Sequence, residues 1–180
     1  MNKETIKIAC VGDSITYGET LDDIVFESHP AQLEMLLGDK YVVGNYGRNG
    51  TSVWRYSPLT YKTTFEYKYA VEMEADIIIV CLGSNDTPNP QNEDFMKGFR
   101  EDYLDLIAHL RQRSPEARLF LAIISPIPKY PQLVPAVTNI NSLIQATSRE
   151  CGASIVGLHP NAAGARLIAE TVYNAINEQL

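Results

Sequence analysis

The chain has 180 residues, 45% of them hydrophobic and 21% charged, with a formal net charge of −7. That size suits one domain, residues 1–180, around a single core, and the negative charge argues against nucleic acid or an anionic membrane surface as the main partner. No apolar run is long enough to span a bilayer, and three cysteines do not make a disulfide framework.

Strand-like and helix-like segments alternate along the whole sequence. The first strand spans residues 5–11. It follows Met1 to Glu4 with no secretory leader, which predicts a cytoplasmic protein or the mature form of a secreted one. Ser28-His29-Pro30 opens a helix that Gly38 closes, with Ser28 as its N-cap and Pro30 in its first turn. A second strand over 41–45 leads into the glycine-rich loop Gly47-Arg48-Asn49-Gly50-Thr51, and 61–74 reads as an aromatic-rich helix. The run Asp76-Ile77-Ile78-Ile79-Val80-Cys81-Leu82 has the continuous apolar pattern of a central parallel strand covered on both faces.

Phe95, Phe99, Tyr103, Leu106, Ile107 and Leu110 recur at helical spacing, so an amphipathic helix is expected over 94–112. A fourth strand over 118–124 ends in a proline-rich loop. Val137, Ile140, Ile144 and Thr147 mark the next helix, 153–156 a fifth strand, and 161–178 a final helix. This β-α order with short connections implies an α/β fold, a mostly parallel five-stranded sheet between two helix layers.

Small polar residues collect in the loops that leave the strands at their C-terminal ends. Gly12-Asp13-Ser14 follows the first strand, Gly47 to Thr51 the second, Gly83-Ser84-Asn85-Asp86 the third and His159-Pro160-Asn161 the fifth. In an open parallel sheet these loops share one edge, where ligands bind. A serine, a histidine, an asparagine amide and glycine backbone are the inventory for acyl transfer. The hydroxyl attacks, the imidazole takes its proton, and N–H donors hold the oxyanion. Cys10 and Cys81 lie in apolar strands and read as small buried hydrophobes. No Cys/His cluster has metal-ligand spacing, and Gly12 to Gly18 is neither a Walker loop nor a dinucleotide fingerprint, so no cofactor is expected.

These four blocks resemble the SGNH (GDSL-type) hydrolases, a family of esterases and acylhydrolases. Gly12-Asp13-Ser14-Ile15-Thr16 corresponds to the nucleophile block, with Ser14 as nucleophile. Asn45-Tyr46-Gly47-Arg48-Asn49-Gly50-Thr51 corresponds to the second block, with Gly50 aligned to the oxyanion glycine and Gly47 as the less favoured register. Asn85 matches the asparagine whose amide serves the oxyanion, and His159 the base. The resemblance covers the whole chain in order. It implies a flavodoxin-like three-layer α/β/α fold, no cofactor, and an oxyanion hole made by Ser14, Gly50 and Asn85.

One departure stands out. The family's base usually belongs to an Asp-x-x-His motif, but the residue three before His159 is Val156, and no Asp or Glu lies between Glu150 and His159. The loop reads as shortened between Val156 and Gly157, with the acid lost alongside. A backbone carbonyl near the fifth strand is the expected substitute partner for the imidazole.

Around these blocks, Asp13 and Asp86 read as loop-bracing acceptors rather than catalytic acids. His29 and His109 read as structural. Arg48, Trp54 and Tyr56 form a candidate substrate rim, since rings with polar edges beside a cleft suit stacking on sugars, although core packing under a long loop explains the aromatic stretch equally well. The expected function is a serine esterase acting on short acyl groups such as acetyl, with carbohydrate as a candidate alcohol part. The alternatives are a lysophospholipase or thioesterase, or an impaired SGNH-fold protein that binds without turnover. A small-molecule or carbohydrate ester is the expected partner, and the sequence carries no signal of oligomeric state.

Overall fold

The computed structural model describes residues 5–126, 128–157 and 162–178, with 162–164 as backbone only. His159 and its neighbours 158–161 therefore lie outside the described residues, as does Ile127.

Five strands form one sheet: β1 (Ile6–Gly12), β2 (Tyr41–Gly47), β3 (Ile77–Cys81), β4 (Arg118–Ile123) and β5 (Ser154–Gly157). Their order is β2-β1-β3-β4-β5, and every pairing is parallel. The register sets Gly12 opposite Gly47 on one side and opposite Cys81 on the other, so β1, β2 and β3 end level with one another. The chain reverses its direction of winding between β1 and β3, which opens a crevice at their carboxyl ends.

Side-chain alternation along the strands divides the core in two. Ala9, Val11, Ile78, Val80, Leu119 and Leu121 face the helices α4 (Phe65–Glu72), α5 (Glu93–Leu110) and α6 (Val134–Cys151). Ile8, Cys10, Ile77, Ile79, Phe120 and Val156 face α3 (His29–Leu37) and α7 (Ala162–Asn177). All five residues of β3 are buried, as a strand covered on both faces requires. The result is the three-layer α/β/α arrangement expected from the sequence.

Several boundaries moved for physical reasons. β2 continues two residues past Asn45 to Gly47, because its exposed edge lacks the apolar alternation that marks a strand. The expected 61–74 helix breaks at Thr64, whose backbone is extended. The Thr64 hydroxyl donates back to the Tyr61 carbonyl at 2.7 Å and accepts from the Tyr67 N–H at 3.1 Å, capping α4. Ser28 does occupy the N-cap position of α3, but its side chain makes no capping bond. Two four-residue helices, α1 (Ser14–Tyr17) and α2 (Ile24–Glu27), are too short to show a period in sequence, and each is capped by an aspartate, Asp13 or Asp23.

Candidate active site

Ser14 opens α1 directly after β1, a strand–turn–helix junction. Asp13 is the N-cap, and its Oδ1 accepts from the Ile15 N–H at 2.9 Å. The Asp13 N–H donates to the Cys81 carbonyl at 3.3 Å, stitching the turn to the end of β3. Gly12 permits this fold-back, because a Cβ there would meet Thr16 Oγ1 at 2.0 Å. Ser14 is half-buried at the helix N-terminus, where the first amides have no intrahelical acceptor and the dipole favours negative charge.

The two glycines of the second loop have different surroundings. Gly47 is buried against α1, where a Cβ would lie 2.1 Å from the Tyr17 nitrogen, and its N–H donates to Asn45 Oδ1 at 3.0 Å. Gly50 is exposed at φ +75°, and its Cβ direction opens on free space. The Arg48 N–H donates to the Gly12 carbonyl at 2.9 Å, which ties this loop to the turn that carries Ser14.

Asn85 lies in a 3₁₀ turn, Ser84–Asp86, that follows β3. Its Nδ2 donates to the Thr51 carbonyl at 3.0 Å, one residue past Gly50, and the Ser52 hydroxyl donates to the Asn85 carbonyl at 3.3 Å. Asp86, fully buried, accepts from the Val53 N–H at 2.9 Å and the Trp54 N–H at 3.0 Å. The second and third loops are therefore fastened side by side, and both are fastened to the turn that carries Ser14.

Burial dominates the electrostatics beneath this edge. It pushes Asp13 up to about 6 and Asp86 up to about 7, against the lowering effect of the N–H groups each accepts; the nearby Asp13 charge adds to the rise of Asp86. The Ser84 hydroxyl also faces Asp13 and offsets part of its rise. His29 is buried with Nε2 3.1 Å from Thr16 Oγ1, and burial lowers it to about 3, so it is neutral. His109 sits on the surface of α5 with Asp105 and Lys62.

The aromatic stretch splits by role. Tyr61 is core, with its hydroxyl donating to the Tyr46 carbonyl at 2.6 Å. Trp54 is half-buried and meets Phe95 and Tyr56 edge-to-face at 5.1 and 5.5 Å, seated over Gly98 of α5. Tyr56 is 76% exposed, and Arg48 pairs with Glu66 at 3.5 Å on the surface.

Asp102 holds this rim from beneath. It accepts from the Arg55 N–H at 2.7 Å and from Arg55 Nε at 2.6 Å. The sequence reading missed it, yet a signal existed, since position 102 falls on the apolar stripe between Phe99 and Tyr103 and a carboxylate there needs a buried partner.

His159 falls outside the described residues. The described ends of its loop are Gly157 on β5 and Ala162 on α7. Val156 is a core residue 2% exposed, paired in register with Ala122. The start of α7 lies against the start of α3, where Arg166 Nη1 donates to Gln32 Oε1 at 3.4 Å. Among the described residues, no group of three or more His, Cys, Asp or Glu could hold a metal, and no helix is long and apolar enough to cross a membrane.

Residues 10–167 match the model of the GDSL-like lipase/acylhydrolase family. An acetylxylan esterase from Xylanibacter ruminicola is 27% identical over 214 residues, covering 97% of this chain and 44% of that protein, so the chain spans less than half the length of this relative. A family two carbohydrate esterase from Clostridium thermocellum, solved with cellohexaose, superposes with a TM-score of 0.77 at 18% identity, covering 97% of this chain and 64% of that one. The M. smegmatis aryl esterase superposes at 0.75 and 16% identity, covering 98% and 100%. The strand–turn–helix at Ser14, the fastened loops and the match over most of its length agree: the chain belongs to the GDSL-like lipase/acylhydrolase family.

Proposed function

We propose that this chain is a serine esterase that removes short acyl groups, acetyl in particular, from carbohydrate. The observation that carries this reading is the Asn85 amide, held on the Thr51 carbonyl beside Gly50 and fastened to the Ser14 turn. An amide nitrogen has two hydrogens. With one committed to Thr51, the other is left for an oxyanion over Ser14.

In the proposed reaction Ser14 Oγ attacks the ester carbonyl and His159 takes its proton. The Ser14 and Gly50 amides and the Asn85 side chain hold the tetrahedral oxyanion. The imidazolium then protonates the departing sugar oxygen, and water, deprotonated by His159, attacks the acyl-enzyme, releasing the acid as His159 returns the proton to Ser14 Oγ. Gly50 is favoured over Gly47 because the Gly47 N–H is already committed to Asn45. Val156 where the family places its acid makes the pair a serine–histidine dyad oriented by a backbone acceptor. Loss of a triad acid costs about 10⁴ in kcat while leaving roughly 10³–10⁴ over water.

The acetylxylan esterase name of the curated relative and the carbohydrate esterase name of a structural neighbour support the substrate class. The exposed Tyr56 edge beside Trp54 supports it from the chain itself. Release of acetate from acetylated xylan by wild type, absent in Ser14→Ala, is the expected result. Equal release by both proteins overturns the proposal.

A further inference from the structure

His29 is a buried titratable side chain that the proposed reaction does not use. It opens α3, is 1% exposed, and sets its Nε2 3.1 Å from Thr16 Oγ1, 13 positions back in the chain. Thr16 lies on α1, two residues after Ser14, and of the described residues of that helix it alone is buried.

His29 Nδ1 has no hydrogen-bond partner among the described residues. A proton there would be a buried N–H with nothing to accept it. The neutral ring therefore carries its proton on Nε2 and donates it to Thr16. The Thr16 hydroxyl is then free to donate to the Cys81 thiol, which it faces at the end of β3.

Thr16 is held closely on its other sides. A Cβ on Gly12 would meet Thr16 Oγ1 at 2.0 Å, and one on Gly47 would meet the Thr16 carbonyl carbon at 2.7 Å. The threonine thus sits where β1, β2 and β3 end level, and His29 reaches it from the helix layer beside them. Helix α1 has four residues, too few to fix its own direction.

We infer that His29 is a positioning residue for the reaction: through Thr16 it sets the direction of α1, and with it the Oγ and N–H of Ser14. The inference rests on the esterase reading above and adds to it a residue that touches neither substrate nor the reacting atoms. Apolar packing would keep Thr16 buried but is non-directional, whereas a hydrogen bond has a preferred line. A displacement of about 1 Å at a reacting group is enough to cost about 10²-fold in rate.

The test is kcat and KM for p-nitrophenyl acetate, corrected for the Ser14→Ala background, with melting temperatures measured alongside. The proteins are wild type, His29→Leu, Thr16→Val, the double variant and His29→Gln. Each single apolar variant should lower kcat about 10- to 100-fold and leave KM within about 2-fold. The double variant should melt above His29→Leu, because both polar partners are gone and neither is left orphaned. Its kcat should nonetheless stay as low as that of the worse single variant, because both changes break one bond. His29→Gln, whose amide nitrogen reaches the same point, should recover most of the lost kcat.

Equal kcat in His29→Leu and His29→Gln, or a kcat that follows melting temperature through the set, overturns the positioning role while the esterase reading stands. Should His29→Leu fail to fold, the double variant takes its place in that comparison. If wild type shows no Ser14-dependent hydrolysis of any ester, both fall.

Discussion

The Asn85 side chain donates to the Thr51 carbonyl at 3.0 Å across 34 positions of sequence. That contact orients an amide that would otherwise rotate freely and, with the Ser52–Asn85 and Asp86 bonds, locks the third loop to the second. Pre-aligned donors of this kind act where charge develops in the transition state and need no reorganisation at the moment of reaction.

Asn85→Ala should therefore lower kcat by about 10²–10³ while changing KM little. Steady-state kinetics on p-nitrophenyl acetate check this. A change confined to KM would remove Asn85 from the oxyanion hole.

Asp86 acts one layer below. Its carboxylate holds the Val53 and Trp54 amides, so Asp86→Asn sets an NH₂ group against an N–H and should cost about 1–3 kcal/mol of stability. The pH dependence has a definite sign. Burial raises Asp86 in the folded chain to about 7, above its unfolded value of about 4. The folded state then binds the extra proton between those limits, so the contribution of Asp86 is complete below pH 4 and declines as pH rises to 7. His29, lowered to about 3, runs the other way, and its contribution is lost as pH falls from about 6.5. Urea melts of wild type and Asp86→Asn across pH 4–8 should show the stability gap narrowing as pH rises. A gap that is constant with pH would contradict the raised value.

Tyr56 offers an exposed ring whose neighbour Trp54 is fixed on Phe95. If this edge receives sugar, Tyr56→Ala should raise KM for acetylated xylo-oligosaccharides about 2- to 10-fold, in line with the ~0.5–1.5 kcal/mol of an aromatic contact. The kinetics of p-nitrophenyl acetate should be unaffected, since it has no sugar to stack. Equal effects on both substrates would make Tyr56 a structural residue only.

How far the sequence foretells this structure depends on the range of the interactions concerned. β3 was legible because a strand buried on both faces is apolar throughout, and α5 because its apolar stripe of Phe95, Phe99, Tyr103, Leu106 and Leu110 recurs at helical spacing. The helix α1 was not, since four residues carry no period. The loops after β1, β2 and β3 were legible as polar segments on one sheet edge, but not the bonds that fasten them. Thr51 to Asn85 and Val53 to Asp86 join residues more than thirty apart, and Arg55 to Asp102 joins residues 47 apart. The separate environments of Gly47 and Gly50 emerge only when α1 folds back over the end of β2. His159 lies outside the described residues, so its place rests on the sequence pattern.

The most direct measurement is covalent capture of the nucleophile. Incubation with a fluorophosphonate that phosphonylates activated serines, followed by intact mass and peptide mapping, should show one adduct per chain on Ser14, with activity lost in step. Ser14→Ala should take up no label. A fully active protein left unlabelled, or a label on any other serine, would contradict Ser14 as the nucleophile.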